Sequence, residues 1–372
     1  MTKNSLPQMP GGITPEWLTA VLQDNGTLSP GVVISAIKRE QVGEGVGMMS
    51  ELSRLIPTYV SAQGAEVDSA PASFIAKYPS QIPANREVAM LMNLYEREVR
   101  YFAELDSLTS AQSPRAYLTD LEGDNFIILM EDMAEYRVGD QIVGATLVET
   151  ELAIDELAKL HSAFWEKVSD IAWIPHVSNS YHATNLANLA VSGWDNMQRI
   201  FADVLPEHFL ARKDDVLSSL PALQAHADRA PITLAHGDFR MENLLYGTQP
   251  EHHPVVIIDW QGPLLGRGMQ DVALLMGQST QTEVRRAHEK ALLQRYLDGL
   301  EQFGVKGYGF DQAWDDYRHT HLHSWTYAIV VSGALDASNE RAFAWMSQML
   351  ARQVATTDDL ELLDLLPFQG KT

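Results

Sequence analysis

Two neighbouring segments constrain this chain more than any other feature of its sequence. The first reads Leu234-Ala-His-Gly-Asp-Phe-Arg-Met-Glu-Asn-Leu-Leu-Tyr246, and the second reads Val255-Val-Ile-Ile-Asp-Trp-Gln261. They supply a carboxylate at Asp238, a carboxamide five positions later at Asn243, and a second carboxylate at Asp259. The apolar run before Asp259 predicts a buried strand with that carboxylate at its end.

Residues of these types are what phosphoryl transfer requires. A divalent metal neutralises the phosphates, and a carboxylate receives or orients the proton of the attacking hydroxyl. The Asp-x-x-x-x-Asn spacing is that of a kinase catalytic loop. The pattern therefore predicts Asp238, Arg240 and Asn243 as catalytic residues, and Asn243 and Asp259 as metal ligands. Arg240 would carry positive charge towards the transferring phosphate.

The two segments resemble the HGDxxxxN and hydrophobic-Asp signatures of the aminoglycoside phosphotransferase and choline kinase superfamily. They are most similar to its ecdysteroid kinase-like branch, which includes bacterial members. Asp259-Trp-Gln261 resembles that branch's form of the kinase Asp-Phe-Gly. Gly266-Arg-Gly-Met-Gln-Asp271 resembles a downstream segment in which a second aspartate steadies the catalytic loop.

The resemblance implies a fold and an activity. The fold is α+β and bilobal, of the protein-kinase-like type, with an N-terminal five-stranded antiparallel sheet plus a C-helix and a larger, mostly α-helical C-terminal lobe. The implied activity is a kinase that uses Mg²⁺ and ATP to phosphorylate a hydroxyl of a small molecule. GTP in place of ATP stays open, as does the choice among an aminoglycoside, an amino alcohol, a sugar and a steroid-like acceptor.

The first third of the chain predicts a lead-in helix and five strands. Thr14-Pro-Glu-Trp17 supplies a hydroxyl cap and a proline at the first helical position, and Asn25-Gly26 ends the helix. The predicted strands are Val32–Gln41, Glu51–Tyr59, Ala72–Tyr78, Pro114–Leu121 and Phe126–Met130, the last two joined as a hairpin around Gly123-Asp-Asn125.

A glycine-rich segment lies between the first two predicted strands. Gly43, Gly45 and Gly47 would let backbone N–H groups approach phosphates. A flexible hairpin turn is the alternative for this segment alone. Its position between two strands and ahead of Lys77 favours nucleotide binding.

Lys77 lies within an apolar strand, where its ammonium requires an anionic partner. The next helix, predicted from about Asn85 to Leu105, contains several glutamates. By resemblance to the family's C-helix, Glu98 is the partner and Lys77 contacts the α- and β-phosphates. Glu96 is the alternative, because residues two apart on a helix face different directions.

The lobes are predicted to be residues 1–130 and 135–372, joined by a hinge at 131–134. By resemblance, backbone groups of Glu131 and Met133 would hydrogen-bond the adenine ring. The second lobe is predicted to be helical over Glu151–Val168, Asn185–Leu220, Arg285–Phe303, Trp314–Gly333 and Arg341–Thr356.

Composition limits the partners of the chain. Its 372 residues carry 27 Lys plus Arg against 49 Asp plus Glu, a net charge of −22. That charge disfavours nucleic acid and anionic membranes as partners, and it favours a cationic or neutral acceptor over an anionic one. There is no cysteine, and no apolar run approaches a signal core or a membrane span. A cytoplasmic location is expected, and the oligomeric state cannot be read.

Several polar clusters in the second lobe have weaker interpretations. His161 is expected to be a packed, hydrogen-bonded residue. His319-Thr-His-Leu-His323 suits an acceptor pocket better than zinc, because alternate positions do not converge on a helix. Asp311, Asp315 and Asp316 could bind a cationic acceptor, although a solvated helix face is the commoner role. Asn339-Glu-Arg341 resembles a recurrent family segment to which the sequence assigns no role.

Other functions remain as alternatives. A nucleotide-binding pseudokinase would have lost at least one of Lys77, Asp238, Asn243 and Asp259, and all four are present. A protein kinase is disfavoured, because Gly237 replaces the arginine of His-Arg-Asp and no Ala-Pro-Glu motif follows Asp259. A hydrolase is disfavoured, because no Gly-x-Ser-x-Gly motif is present.

Overall fold

The computed structural model describes residues 6–7, 9–43, 49–61, 70–334 and 340–369. These residues form two compact units. The first contains the described residues up to Leu108, together with Ser113–Ala134 and Asp259–Gln261. The second contains Thr109–Gln112, Glu135–Ile258 and the described residues from Gly262 onward. The lobe boundaries at 130 and 135 stay a prediction.

The first unit is built on one antiparallel sheet. Helix α1 (Pro15–Asp24) begins after Thr14, whose hydroxyl accepts a hydrogen bond from the Trp17 N–H as the sequence predicted. The remaining elements are β1 (Val32–Val42), β2 (Ser50–Ser61), β3 (Phe74–Pro79), α2 (Pro83–Leu91), α3 (Leu94–Arg100), β4 (Ala116–Glu122) and β5 (Asn125–Glu131). The five strands lie in the order β1-β2-β3-β5-β4 and every pair is antiparallel, which confirms the predicted sheet.

Both faces of this sheet are covered. On one face Ile127 and Leu129 of β5 pack in a cluster with Leu18 and Leu22 of α1. On the other face Phe126, Ile128 and Met130 pack with residues of α3. This alternation explains why β5 is apolar from Phe126 to Met130, since a strand buried on both faces has no polar side.

The helix predicted from Asn85 to Leu105 is two helices, so the prediction of one continuous helix is wrong. The chain breaks at Asn93, which has φ of +55°, in the left-handed region that asparagine tolerates better than most residues. A π-helical turn, Tyr101–Leu105, continues α3. After this break α3 begins as a separate helix, and its Tyr95 and Val99 pack against the sheet.

The second unit is mostly helical. Its helices are α4 (Leu147–Phe164), α5 (Ser180–Ile200), α6 (Glu207–Leu210), α7 (Lys213–Ala227), α8 (Met269–Leu274), α9 (Thr282–Gln302), α10 (Phe310–Ala334) and α11 (Glu340–Asp359). Its short strands are β6 (Arg137–Val138), β7 (Thr233–Ala235), β8 (Leu244–Tyr246), β9 (Val255–Ile257) and β10 (Leu264–Gly266). Strands β6-β8-β9 form one antiparallel sheet and β7-β10 form another.

Two helical predictions in this unit need correction. Helix α4 begins at Leu147, not near Glu151, because Thr146 and Glu149 form a reciprocal capping box, and it ends at Phe164 instead of Val168. The stretch predicted over Asn185–Leu220 is divided into α5, α6 and α7, with Pro206 preceding α6.

Helix α10 lies at the centre of the second unit, against α5, α7, α8, α9 and α11. Trp325 of α10 is fully buried, stacks on Phe209 and donates to the Thr357 hydroxyl at 2.9 Å. Where α10 crosses α5, a Cβ on Gly333 would lie 2.3 Å from the Gly193 carbonyl oxygen. The crossing therefore needs glycine at this point. Over the described residues, no helix has both the length and the apolar character needed to cross a membrane.

Candidate active site

In the first unit, Lys77 is held between two carboxylates. Its ammonium lies 2.7 Å from Glu98 of α3 and 2.7 Å from Asp259. Lys77 and Glu98 are buried, and the Asp259 side chain keeps a quarter of its surface exposed. Glu96, the alternative partner, pairs with Arg100 instead, at 3.2 Å. The structure thus brings Lys77 and Glu98 together as predicted, and adds Asp259 as a partner that the sequence did not indicate.

Burial and charge oppose each other in this group. Burial lowers the pKa of Lys77, but the carboxylates of Asp259 and Glu98 more than compensate, so the pKa is raised and the ammonium stays charged. Burial raises the pKa of Glu98, and Lys77 opposes that shift. Because the pKa of Glu98 is raised to about 7, the group has a net negative charge, suited to a divalent cation, only when Glu98 is ionised.

The backbone around Asp259 fixes this carboxylate. Asp259 has φ of +66°, an uncommon value for a non-glycine residue. Gln261 donates to its second carboxylate oxygen at 3.2 Å. The next residue, Trp260, is fully buried, stacks on Tyr101 with ring centroids 3.6 Å apart, and donates its backbone N–H to Glu98. Asp259 and Glu98 are therefore tied together through Trp260 as well as through Lys77.

The predicted hinge segment is anchored by Asp132. Its carboxylate accepts from Arg54 of β2 at 2.6 Å and from the Ser73 hydroxyl at 2.6 Å. The Glu131 N–H already donates to the Arg115 carbonyl at 2.9 Å. Glu131 would therefore contact an adenine ring through its carbonyl oxygen. The roles of Glu131 and Met133 stay predictions.

The glycine-rich segment is described only in part. Gly43 directly follows β1 and has φ of +73°, a conformation that favours glycine. Gly45 and Gly47 lie outside the described residues. The nucleotide-binding role of all three glycines stays a prediction.

In the second unit, Asp271 at the start of α8 holds the backbone of the loop that contains Asp238. Its carboxylate accepts from the N–H groups of His236 at 2.6 Å and Gly237 at 3.0 Å. His161 completes this support with its Nε2 at 3.1 Å from Asp271, while its Nδ1 lies 2.8 Å from the Tyr296 hydroxyl. The steadying role suggested for Asp271 and the packed role suggested for His161 both agree with these contacts.

Gly237 has no room for a side chain. Its φ is +83°, and a Cβ would lie 2.1 Å from the Gly262 carbonyl oxygen. The turn that carries Asp238 out of β7 therefore depends on glycine at this position.

The three predicted catalytic residues lie together on this loop. The Asn243 side-chain nitrogen donates to the Asp238 carboxylate at 2.9 Å and to the Asp238 carbonyl at 2.8 Å, which directs the carboxamide oxygen elsewhere. Arg240 Nε lies 3.3 Å from the Asp238 carboxylate. The Ile258 N–H, adjacent in sequence to Asp259, donates to the Asn243 carbonyl at 3.0 Å.

The sequence did not predict two contacts of this loop, both made by Glu242. Arg240 also donates to Glu242, whose side chain is buried, and Glu242 accepts from Arg341 of α11 at 3.0 Å. The motif shows Glu242 beside Asn243, but a partner 99 residues away leaves no local signal.

The three histidines of the α10 segment do not meet at one site among the described residues, but His319 joins His226 and Asp315 in a group whose possible ligand atoms lie within 4.8 Å of one another. His321 and His323 are buried, and His319 lies near His226 and Asp315. Arg267 is 3.1 Å from Nε2 of His226, and since arginine can only donate, that nitrogen's lone pair is occupied. Asp316, considered for a cationic acceptor, is buried in an ion pair with Arg267 and accepts from Tyr308 at 2.9 Å. It is therefore engaged within the fold.

A small cavity of about 10 Å³ lies beside Gly237 and Asp271 and extends to α10. Two buried polar atoms on its walls, Nε2 of Gln270 and Nε2 of His323, have no partner among the described residues.

Comparison of the sequence with known protein families identifies the chain. Residues 44–306, more than half of its length, match the model of the ecdysteroid kinase-like family. The chain belongs to the ecdysteroid kinase-like family. A search of curated proteins finds no match for this family member.

Solved structures similar to this ecdysteroid kinase-like chain include two phosphotransferases. The GDP complex of an aminoglycoside 2'-phosphotransferase-IIIa mutant has 14% identity and a TM-score of 0.53, over 92% of this chain and 97% of that chain. Choline kinase from Cryptosporidium parvum Iowa II has 11% identity and a TM-score of 0.51, over 94% and 97%. These likenesses show the fold alone, and they confirm the predicted bilobal, α+β, protein-kinase-like fold class.

Proposed function

We propose that this chain is a small-molecule kinase that transfers the γ-phosphoryl group of ATP, with Mg²⁺, to a hydroxyl of its acceptor. The observation that carries the proposal is the Lys77 ammonium between Glu98 and Asp259, at 2.7 Å from each. A buried lysine with two carboxylate partners is costly as a purely structural device, and it is what positioning of the α- and β-phosphates requires.

The side chains of the Asp238 loop supply the acceptor chemistry in this proposal. Asp238 orients the acceptor hydroxyl and takes its proton as the oxygen attacks the γ-phosphorus and the bond to the β-phosphate oxygen breaks. Arg240 stabilises charge near this carboxylate. Gly43, Gly45 and Gly47 approach the phosphates through their backbone, and Glu131 and Met133 contact the adenine ring.

The residues present fit a magnesium ion. Asp259 offers a partly exposed carboxylate, and Asn243 offers the carboxamide oxygen left over by its donor contacts. Oxygen ligands of these types are those that Mg²⁺ prefers. When bound, the ion would neutralise charge on the phosphates. Asn243 and Asp259 hold it in this proposal.

The donor and acceptor are proposed at the level of class. ATP is the proposed donor, with GTP as the alternative. The acceptor is a hydroxyl-bearing small molecule, either neutral or cationic, in keeping with the net charge of −22. Because Asp316 is paired with Arg267, the binding of a cationic acceptor would have to use other carboxylates.

The test is phosphate transfer from γ-labelled ATP and Mg²⁺ into pooled aminoglycosides, amino alcohols, sugars and sterols. Wild-type protein should label at least one pool, and Asp238→Ala should abolish the label while still binding Mg·ATP. Lys77→Met should lose nucleotide affinity instead. Nucleotide binding without transfer to any pool would favour a pseudokinase, and the absence of nucleotide binding would contradict the whole proposal.

A further inference from the structure

The side chain of Arg240 is shared between two carboxylates. Its Nε lies 3.3 Å from Asp238, and Nη1 donates to Glu242. Its guanidinium also lies over the Trp345 ring, with Cζ 5.5 Å from the centroid. Its position therefore depends on how strongly each carboxylate attracts it, with the aromatic ring as a backing surface.

Glu242 is in turn shared between two arginines. Its side chain is buried, and Arg341 Nη2 lies 3.0 Å from its second oxygen. Arg341 stands at the start of α11, in the segment whose role the sequence did not explain. A chain of contacts thus runs from α11 through Glu242 and Arg240 to Asp238.

A second contact from α11 reaches the same loop and fixes its backbone. Arg352 is buried and donates to the carbonyls of Gln141 at 2.6 Å and Ile142 at 2.8 Å. The Gln141 side chain accepts from the Met241 N–H at 3.1 Å. Because Arg352 already secures the loop, the exposed Arg341 is not required for its fold.

We propose that Glu242 and Arg341 are positioning residues, which hold the Arg240 guanidinium between Glu242 and Asp238 and so set its pull on the Asp238 carboxylate. This inference rests on the proposed function, in which Asp238 takes the acceptor proton. It assigns a role in that reaction to α11, which lies 98 or more residues beyond Glu242 in sequence.

The two variants should move the Arg240 guanidinium in opposite directions. In Glu242→Gln, Arg240 loses its competing anion and moves towards Asp238. In Arg341→Met, Glu242 loses its second cation and draws Arg240 away from Asp238.

The decisive measurement separates kcat from KM, with the acceptor that the γ-labelled ATP assay identifies, because a loss confined to kcat marks an interaction made in the transition state. We expect kcat to fall about tenfold in Glu242→Gln and in Arg341→Met, while the KM values for ATP and acceptor change little. Arg341→Lys, which keeps the charge, should recover most of kcat.

Stability separates this role from a structural one. The Arg341 side chain is 60% exposed, and such ion pairs contribute at most about 1 kcal/mol, so Arg341→Met should keep the wild-type Tm. Arg286→Met, which removes an exposed, ion-paired arginine of α9, is the matched control and should keep both kcat and KM. Wild-type kcat in Arg341→Met, a KM change as large as the kcat change, or no recovery of kcat in Arg341→Lys would overturn the inference.

Failure of the proposed function has a different signature. If wild-type protein transfers phosphate to no acceptor, the kinase proposal fails, and a crystal structure of Glu242→Gln then decides the positioning role. Movement of the Arg240 guanidinium off Trp345 and onto Asp238 would support it. An unchanged Arg240 would overturn it.

Discussion

At the scale of single residues, Lys77 determines the electrostatics of the first unit. One ammonium pairs with both Glu98 and Asp259, and these two carboxylates keep Lys77 protonated despite its burial. A buried carboxylate whose partner is removed is strongly destabilising. The effect of removing Lys77 should therefore depend on pH.

Lys77→Met should lower the free energy of unfolding by about 3–5 kcal/mol at pH 7. Without the ammonium, burial and Asp259 keep the folded-state pKa of Glu98 above its unfolded value, so stability is present below the unfolded pKa and is lost as pH rises. The penalty relative to wild type should therefore be smaller at pH 5 than at pH 7. Urea unfolding of both proteins at the two pH values measures this, and equal penalties would contradict it.

Gly237 allows a second residue-scale prediction with a close control. Gly237 and Gly307 have nearly equal φ, +83° and +82°, but a Cβ on Gly307 would meet nothing within 4 Å. Gly307→Ala should lower the free energy of unfolding only by the cost of the left-handed backbone conformation, about 1–2 kcal/mol. Gly237→Ala adds a clash of the new Cβ with backbone at 2.1 Å, so it should lower the free energy of unfolding clearly more and should also abolish phosphate transfer. Urea unfolding would refute this if the two variants were equally stable.

The residue scale also shows what the sequence could indicate. Glu98 was preferred to Glu96 because the segment resembles a known helix, and the contact to Lys77 agrees with that choice. The contact between Lys77 and Asp259 joins residues 182 apart and leaves no local pattern. Pairing partners that meet only through tertiary structure are not readable from one sequence.

At the scale of elements, the ends of helices were less predictable than their presence. Thr146-Leu-Val-Glu149 is a capping-box pattern that marks the start of α4. The apolar periodicity alone predicts a later start, at Glu151. The break at Asn93 has no such marker, because asparagine at a left-handed position is set by how α2 and α3 must pack.

The capping box provides an element-scale prediction. In α4 the Thr146 hydroxyl accepts from the Glu149 N–H and the Glu149 carboxylate accepts from the Thr146 N–H, whereas the Thr14 cap of α1 has Trp17 at the equivalent position. Thr146→Ala should therefore lower the free energy of unfolding by about 1–2 kcal/mol, and Thr14→Ala by less. Chemical denaturation measures both losses, and a larger loss in Thr14→Ala would contradict the argument.

At the scale of the whole molecule, the fold class followed from motifs that span most of the chain. The five-stranded antiparallel sheet and the helical second unit agree with the fold that the resemblance of these motifs implied, whereas the order of the strands was not predicted. The class of the proposed acceptor did not follow, because one fold serves many substrates and the residues that recognise them have no shared sequence pattern. The net charge of −22 favours a cationic or neutral acceptor over an anionic one and gives no further information about its class.

The buried histidines of the second unit predict how the molecule responds to acid. Burial lowers the pKa of His323 to about 4, with His182 and His226 adding to the shift, and burial lowers the pKa of His226 to about 4. Because these folded-state values lie below the unfolded value of 6.5, the unfolded chain binds more protons between pH 6.5 and 4. The stability that these two histidines contribute is therefore fully present above pH 6.5 and is lost as pH falls towards 4.

His323, which is buried, should account for about 2 kcal/mol of the stability lost between pH 7 and pH 5. His323→Gln keeps a polar side chain of similar size but cannot take up a proton. Between pH 7 and pH 5 this variant should therefore lose about 2 kcal/mol less of its free energy of unfolding than wild type does. His208→Gln is the control, since that side chain is 55% exposed, and it should follow wild type. Urea unfolding at the two pH values measures all three proteins. If His323→Gln lost as much stability as wild type, protonation of α10 would not be what limits the acid stability of the molecule.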